Sequence, residues 1–229
     1  EEKTFSFGSV VPTAQQNGVC ERLKITNPNK VNAAVNFAVD AKKEGDSEDV
    51  FTVQPSSVDI PAHEHRYVDL YFKPKIMRTY NAVFKATVED GTDPTTNKLE
   101  FALTGEGTLP CIQVVEPLTR QDDGALIMDF GRLQAGKSCT LPLKIRNGGV
   151  VPATMRFSMP RSDCFLFPSR GSSVPLAVDQ EELYSVTFKP PKPLDEAYGA
   201  ELLLTVRHNE FETQRIVFKG FCFLEDFTL

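Results

Sequence analysis

His63-Glu64-His65 is where metal-ligating side chains crowd most closely, and on a strand the two histidines, two residues apart, would face the same way. Zinc usually takes three or four protein ligands, and no third follows at ligand spacing. The stretch lies between Pro61 and an alternating segment that starts at Tyr67, so it reads as a solvated turn and no metal site is expected. His208 stands beside Asn209 in a predicted hairpin. The acidic run Glu44-Gly45-Asp46-Ser47-Glu48-Asp49 lacks calcium-loop spacing and reads as a solvated loop. Asp122-Asp123-Gly124 is a turn signal. Gly171-Ser172-Ser173 reads as loop, and neither a Gly-x-Ser-x-Gly elbow nor a phosphate-cradling Gly-x-x-x-x-Gly-Lys occurs. No nucleophile, base and orienting group can be assembled. The expectation is a protein that is not an enzyme, with no catalytic residue, cofactor or small-molecule substrate.

The bulk properties narrow the field further. A length of 229 residues suits one or two domains, and 41% hydrophobic with 24% charged residues is ordinary for a globular protein. The net charge of -6 argues against nucleic acid, whose phosphates are bound by Lys and Arg. No apolar run reaches the ~18 residues of a membrane span, so no membrane partner is expected. Five cysteines (Cys20, Cys111, Cys139, Cys164, Cys222) show no metal-type spacing, which points to free thiols in a reduced, intracellular compartment. The chain does not start with methionine and is read as a piece of a longer polypeptide, which leaves room for targeting signals outside it.

The elements that would position any site occur twice. Phe5-Ser6-Phe7-Gly8 is matched by Met128-Asp129-Phe130-Gly131. After a polar turn (Thr13 to Gly18, and Gln134 to Lys137), Leu23-Lys24-Ile25-Thr26-Asn27 is matched by Leu143-Lys144-Ile145-Arg146-Asn147. Both alternate apolar and polar at period two, the mark of a half-buried strand. Each closing asparagine enters a turn, Asn27-Pro28-Asn29 or Asn147-Gly148-Gly149, where it can bond its own backbone. Alternation resumes at Ala33 to Val39 and Ala153 to Met159, and Phe51-Thr52-Val53 matches Phe165-Leu166-Phe167. Phe72-Lys73-Pro74 matches Phe188-Lys189-Pro190, each followed by a tyrosine, Tyr80 or Tyr198. The closing strands are Leu99 to Gly105 and Arg215 to Gly220.

Seven short strands per copy with no helical period predict an all-β chain of two tandem immunoglobulin-like, seven-stranded sandwiches. The first covers 1–107 and the second 108–229, with 108–117 as a linker strand. The joint is Gly105-Glu106-Gly107-Thr108-Leu109-Pro110, in which Gly105 and Gly107 supply turn angles and Pro110 stops sheet pairing. Apolar Leu109, Ile112, Val114 and Val115 suggest a stiff hinge packed on both domains rather than a Gly/Ser tether. Phe37, Phe72, Phe101, Phe157, Phe188 and Phe218 should face inward.

The order Phe-Gly, Leu-Lys-Ile-x-Asn, Ala-x-x-x-Phe, Phe-Lys-Pro and a closing strand that ends in Gly resembles the ASH family of ciliary and centrosomal domains, related to major sperm protein. Asn27-Pro28, Val53-Gln54-Pro55, Val58-Asp59-Ile60-Pro61 and Phe72-Lys73-Pro74 are similar to major sperm protein itself. The resemblance implies a non-catalytic scaffold in the cytoskeleton of the cilium or flagellum axoneme, in an array attached to a central-pair microtubule and needed for motility. Implied partners are other axonemal and central-pair proteins, neighbouring ASH domains of the same chain, and tubulin only indirectly. The alternative it carries is a peptide adaptor for acidic or phosphorylated motifs, for which Lys24, Lys73, Lys75 and Arg78 would supply the basic groove. A third reading, a cell-surface or periplasmic adhesion pair, would require disulfides or a signal.

Overall fold

A computed structural model describes residues 4–12, 18–41, 49–91 and 97–224. Most of the first polar turn (13–17) and of the acidic run (44–48) lies outside the described residues. All regular structure among the described residues is strand. The chain divides into two compact units, Glu1–Leu109 and Pro110–Leu229.

The first unit contains β1 (Thr4–Val10), β2 (Val19–Thr26), β3 (Ala33–Ala41), β4 (Phe51–Gln54), β5 (Ser57–Ile60), β6 (His65–Phe72), β7 (Thr79–Val88) and β8 (Lys98–Gly107). They form one sheet in the order β1-β8-β7-β3-β5 and a second in the order β2-β6-β4. The second unit contains β9 (Ile112–Glu116), β10 (Leu126–Gln134), β11 (Cys139–Asn147), β12 (Ala153–Ser158), β13 (Phe165–Leu166), β14 (Ser173–Leu176), β15 (Glu181–Phe188), β16 (Tyr198–Val206) and β17 (Asn209–Phe223). Its sheets run β10-β17-β16-β12-β14 and β13-β15-β11-β9. The five-stranded sheets repeat strand for strand, down to the parallel pairing of β1 with β8 and β10 with β17.

The strand count departs from seven in both units. In each, the chain crosses between sheets right after the short strand that begins at Phe51 or Phe165. β4 pairs with β6 but β5 pairs with β3, and β13 pairs with β15 but β14 pairs with β12. A crossing of this kind leaves little trace in hydrophobic alternation, because the residues on both sides still alternate. The second unit gains a further strand, β9, from the segment after the joint.

Each core is built around one phenylalanine. Phe72 stacks on Phe51 with centroids 4.7 Å apart and planes at 24°, and Phe188 stacks on Phe165 at 4.8 Å and 24°. Phe7 and Phe130 approach those centres to 5.4 and 5.7 Å, and Tyr80 and Tyr198 both lie 5.9 Å from them. Phe37, Phe72, Phe157, Phe188 and Phe218 are buried, whereas Phe101 is half-buried, packed on the core and stacked on Phe84 at 4.8 Å.

The reading of Gly105 and Gly107 as turn residues is corrected here. Both belong to β8, and neither takes a positive φ. A Cβ on Gly105 would come within 2.6 Å of the Phe72 ring, and one on Gly107 would collide with the Ile76 carbonyl oxygen. Gly220 stands in the same relation to Phe188, at 2.5 Å. These glycines are there because a ring or backbone lies directly above them.

Candidate functional site

Asn27 and Asn147 are the buried polar side chains of the two cores. Asn147 Nδ2 donates to the carbonyls of Val151 (2.9 Å) and Leu176 (3.2 Å), while its Oδ1 accepts from the Gly149 N–H (2.9 Å). Asn27 does the same with Val31 (2.7 Å), Ile60 (3.0 Å) and the Asn29 N–H (3.0 Å). Each amide ties its own turn to the strand of the opposite sheet, β5 or β14. Its N–H donors and its carbonyl oxygen are all engaged in holding the fold.

His63 sits in the turn after β5 with φ 59°, where its N–H donates to Asn29, and His65 opens β6 and meets Tyr67 edge-on at 5.4 Å. Among the described residues no group of three His, Cys, Asp or Glu is placed to hold a metal ion. His208 lies between β16 and β17 with φ 65°, in the tight connection of that hairpin. The five cysteines are free. The Cys111 thiol, 3.4 Å from Glu212 Oε1, is pushed up by burial and then by that carboxylate, and burial pushes Cys222 up as well. Such thiols stay protonated and make poor nucleophiles.

The four basic residues do not converge on one spot. Lys24 is exposed on β2 opposite Tyr67, while Lys73 follows Phe72 at the far end of β6. Six residues of strand separate those levels, about 20 Å. Lys73, Lys75 and Arg78 share the loop before β7. There Lys75 pairs with Asp49 at 3.4 Å, and the Arg78 guanidinium lies 4.6 Å over the Tyr80 ring. The exposed Lys75–Asp49 pair contributes little and leaves both charges in contact with solvent, whereas Arg78 is half-buried.

At the joint, Gly107 N–H donates to Arg78 (2.8 Å) and Thr108 N–H to Val10 (3.0 Å), both within the first unit. The Pro110 carbonyl accepts from Asn209 Nδ2 (2.8 Å), within the second. From Ile112 onward the chain is β9, antiparallel to β11, with Ile112 fully buried in the second core and Val114 packed against it. Gly148 and Gly149 make room for it. The Gly148 N–H donates to the Cys111 carbonyl (3.2 Å), and a Cβ there would meet the Gln113 side chain at 2.6 Å.

The sequence reading missed two features. One is that β9 is a paired sheet strand; Ile112 and Val114 signalled an apolar face but not what it would face. The other is a cavity of about 450 Å³ in the second unit, lined by Met159, Arg161, Ser162, Phe165, Phe167 and Arg170 among others. It forms where the short β13 meets the loops on either side of it, which carry no periodic signature.

No family model matches the chain. It is 35% identical over 165 residues to the human hydrocephalus-inducing protein homolog, which covers 69% of this chain and 3% of that protein. It is 27% identical over 190 residues to cilia- and flagella-associated protein 65 of Chlamydomonas reinhardtii, covering 83% of this chain and 8% of that protein. Of solved structures, the ASH / PapD-like domain 7 of human CEP192 is similar at 17% identity and TM-score 0.34, over 47% of this chain and 82% of that one. The chain therefore spans only a few per cent of the curated relatives it matches. At 35% identity over 69% of its length, the chain is a hydin-like segment, related to proteins of cilia and flagella.

Proposed function

We propose that the chain is a non-catalytic scaffold module, two sandwiches in tandem that space and dock other axonemal proteins along a central-pair microtubule and so serve ciliary motility. Its partners are other central-pair proteins and neighbouring domains of the same kind, with tubulin touched only indirectly. The observation that carries this reading is where the polar groups go. Asn27 and Asn147 hold turns, Arg22 and Arg146 pair with Asp69 and Asp179 at 2.7 Å, and the Cys111 and Cys222 thiols are kept protonated. What faces outward is sheet edge and loop, the kind of surface that binds another strand through its backbone.

The test is deletion of this segment from the full-length protein in a ciliated cell. An assembled axoneme with impaired beating is expected, and normal beating overturns the reading. Spacing also requires a stiff joint at Leu109-Pro110, supported by the short stretch between the Thr108 bond to Val10 and the Pro110 bond from Asn209. Small-angle scattering that gave a broad spread of interdomain distances would rule that out.

The loop that carries Lys73, Lys75 and Arg78 favours a second reading, an adaptor for acidic or phosphorylated peptides. Titration with phosphopeptides at two salt concentrations separates the two, because binding through such a loop weakens as salt rises. Binding insensitive to salt, or none, removes the adaptor.

A further inference from the structure

The two units differ in what covers one strand. β11 lies between β15 and β9, so both of its edges are paired. Among the described residues its equivalent, β2, is the edge of its sheet, paired with β6 alone. The consequence is visible in the side chains. Leu143 and Ile145 are 0% exposed, while Leu23 and Ile25, at the same places in the repeat, are only half-buried. Among the described residues, then, the β2 edge is a place where the repeat shows a covering strand over one copy and leaves the matching edge of the other open.

We propose that the outer edge of β2 is a docking site for an extended strand of β9 chemistry, the linker strand of another sandwich unit, laid antiparallel with its apolar residues over Ile25 and Leu23. The interface between β9 and β11 is the precedent, with Val114 paired to Ile145 and Ile112 to Asn147. The origin of the strand rests on the tandem-array reading; the chemistry of the edge rests on the repeat alone.

Two residues shape the seat. Pro28 stands where Gly148 donates to the Cys111 carbonyl, and it has no N–H to give. The visiting strand thus loses that bond and is held from Ile25 toward Val19. Glu21, exposed, takes the place of half-buried Leu141, opposite the buried Leu70. A charge at an inward-facing position and a proline at the strand end are devices that discourage an edge from pairing with its own copy. A second copy of β2 is therefore the wrong occupant, and a strand that brings its own apolar residues is the right one.

The test is a graft on the full chain. Glu1 and Glu2 are replaced by a copy of Leu109–Ala125, in the register where Phe7 takes the place of Phe130. A control graft carries Ile112→Asp and Val114→Asp within the copy. Amide hydrogen exchange is followed residue by residue, with oligomeric state measured by light scattering. The expected result is a monomer in which alternate amides of Val19–Ile25 exchange about tenfold more slowly or better, with no such change in the control graft. Adding Pro28→Gly to the first graft should extend protection toward Asn27. Unchanged exchange along β2, equal protection by the control graft, or dimerisation through β2 would each overturn the proposal.

Discussion

Leu23 and Ile25 lie on an open edge, while Leu143 and Ile145 lie beneath a neighbouring strand, yet both pairs come from the same five-residue pattern. The centres of the two units hardly differ: Phe72 over Gly105 and Phe188 over Gly220 repeat to within a few tenths of an ångström. Tyr80 and Tyr198 also repeat their distance to the central ring but not their hydrogen bonds. The Tyr80 hydroxyl accepts from the Ile76 N–H at 3.0 Å, and the Tyr198 hydroxyl donates to the Lys192 carbonyl at 2.7 Å. The difference teaches where duplicated domains are free to diverge. An interior packed to crystal-like density resists change, whereas an edge strand or a loop can change partners without disturbing it.

The comparison can be broken first at the centres. Phe72→Ala and Phe188→Ala should each cost about 3–5 kcal/mol, read by urea unfolding followed with NMR so that each unit reports separately. A clear inequality would mean that the cores are less alike than their geometry. The edges should behave differently. Ile112→Ala should destabilise the second unit by about 2–5 kcal/mol, while Ile25→Ala should cost the first about half as much or less, in proportion to the area it buries. Equal losses would show that β9 adds nothing to the second unit.

The asparagines sharpen the point. Asn147→Ala strands the buried carbonyls of Val151 and Leu176, and Asn27→Ala the buried carbonyl of Ile60 and the part-buried one of Val31; each should cost about 1–3 kcal/mol. If only one matters, the turns are not equivalent despite their matching bonds.

The smallest effect concerns Tyr184, which lies 4.9 Å from Phe157 and 5.9 Å from Phe167. Burial, with Glu182 beside it, pushes its hydroxyl up to about 12 from the ordinary 10.0. Between those values the folded state keeps a proton that the unfolded state has lost, so stability should fall as pH rises from about 10 toward 12. Tyr184→Phe should flatten that part of the pH profile relative to the unsubstituted chain. A parallel profile would show that Tyr184 is not the group responsible.

Much of this was legible in the chain because strands that bury one face must alternate. Leu23-Lys24-Ile25 and Leu143-Lys144-Ile145 were read as strands from that pattern, and Asn27 and Asn147 as turn residues from their short side chains. That Gly105 and Gly107 are not turn residues is invisible along the chain, because glycine looks the same whether it serves a positive φ or makes way for a neighbour, and the neighbours that decide it, the Phe72 ring and the Ile76 carbonyl, are distant in sequence. The candidate basic groove failed to gather for a related reason. Spacing along the chain says nothing about which end of β6 a residue reaches, so Lys24 and Lys73 looked nearer to each other than the sheet allows.

The amino-acid order alone determined that the chain is all-β and doubled, because alternation and turn chemistry are local properties written twice. Only the tertiary structure decided which edge is covered. β9 and β2 carry the same kind of pattern, and whether an alternating segment becomes a seat or a cover depends on what stands beside it. Two glycines admit β9 against β11, and that is a matter of space between strands, which no reading along one strand contains.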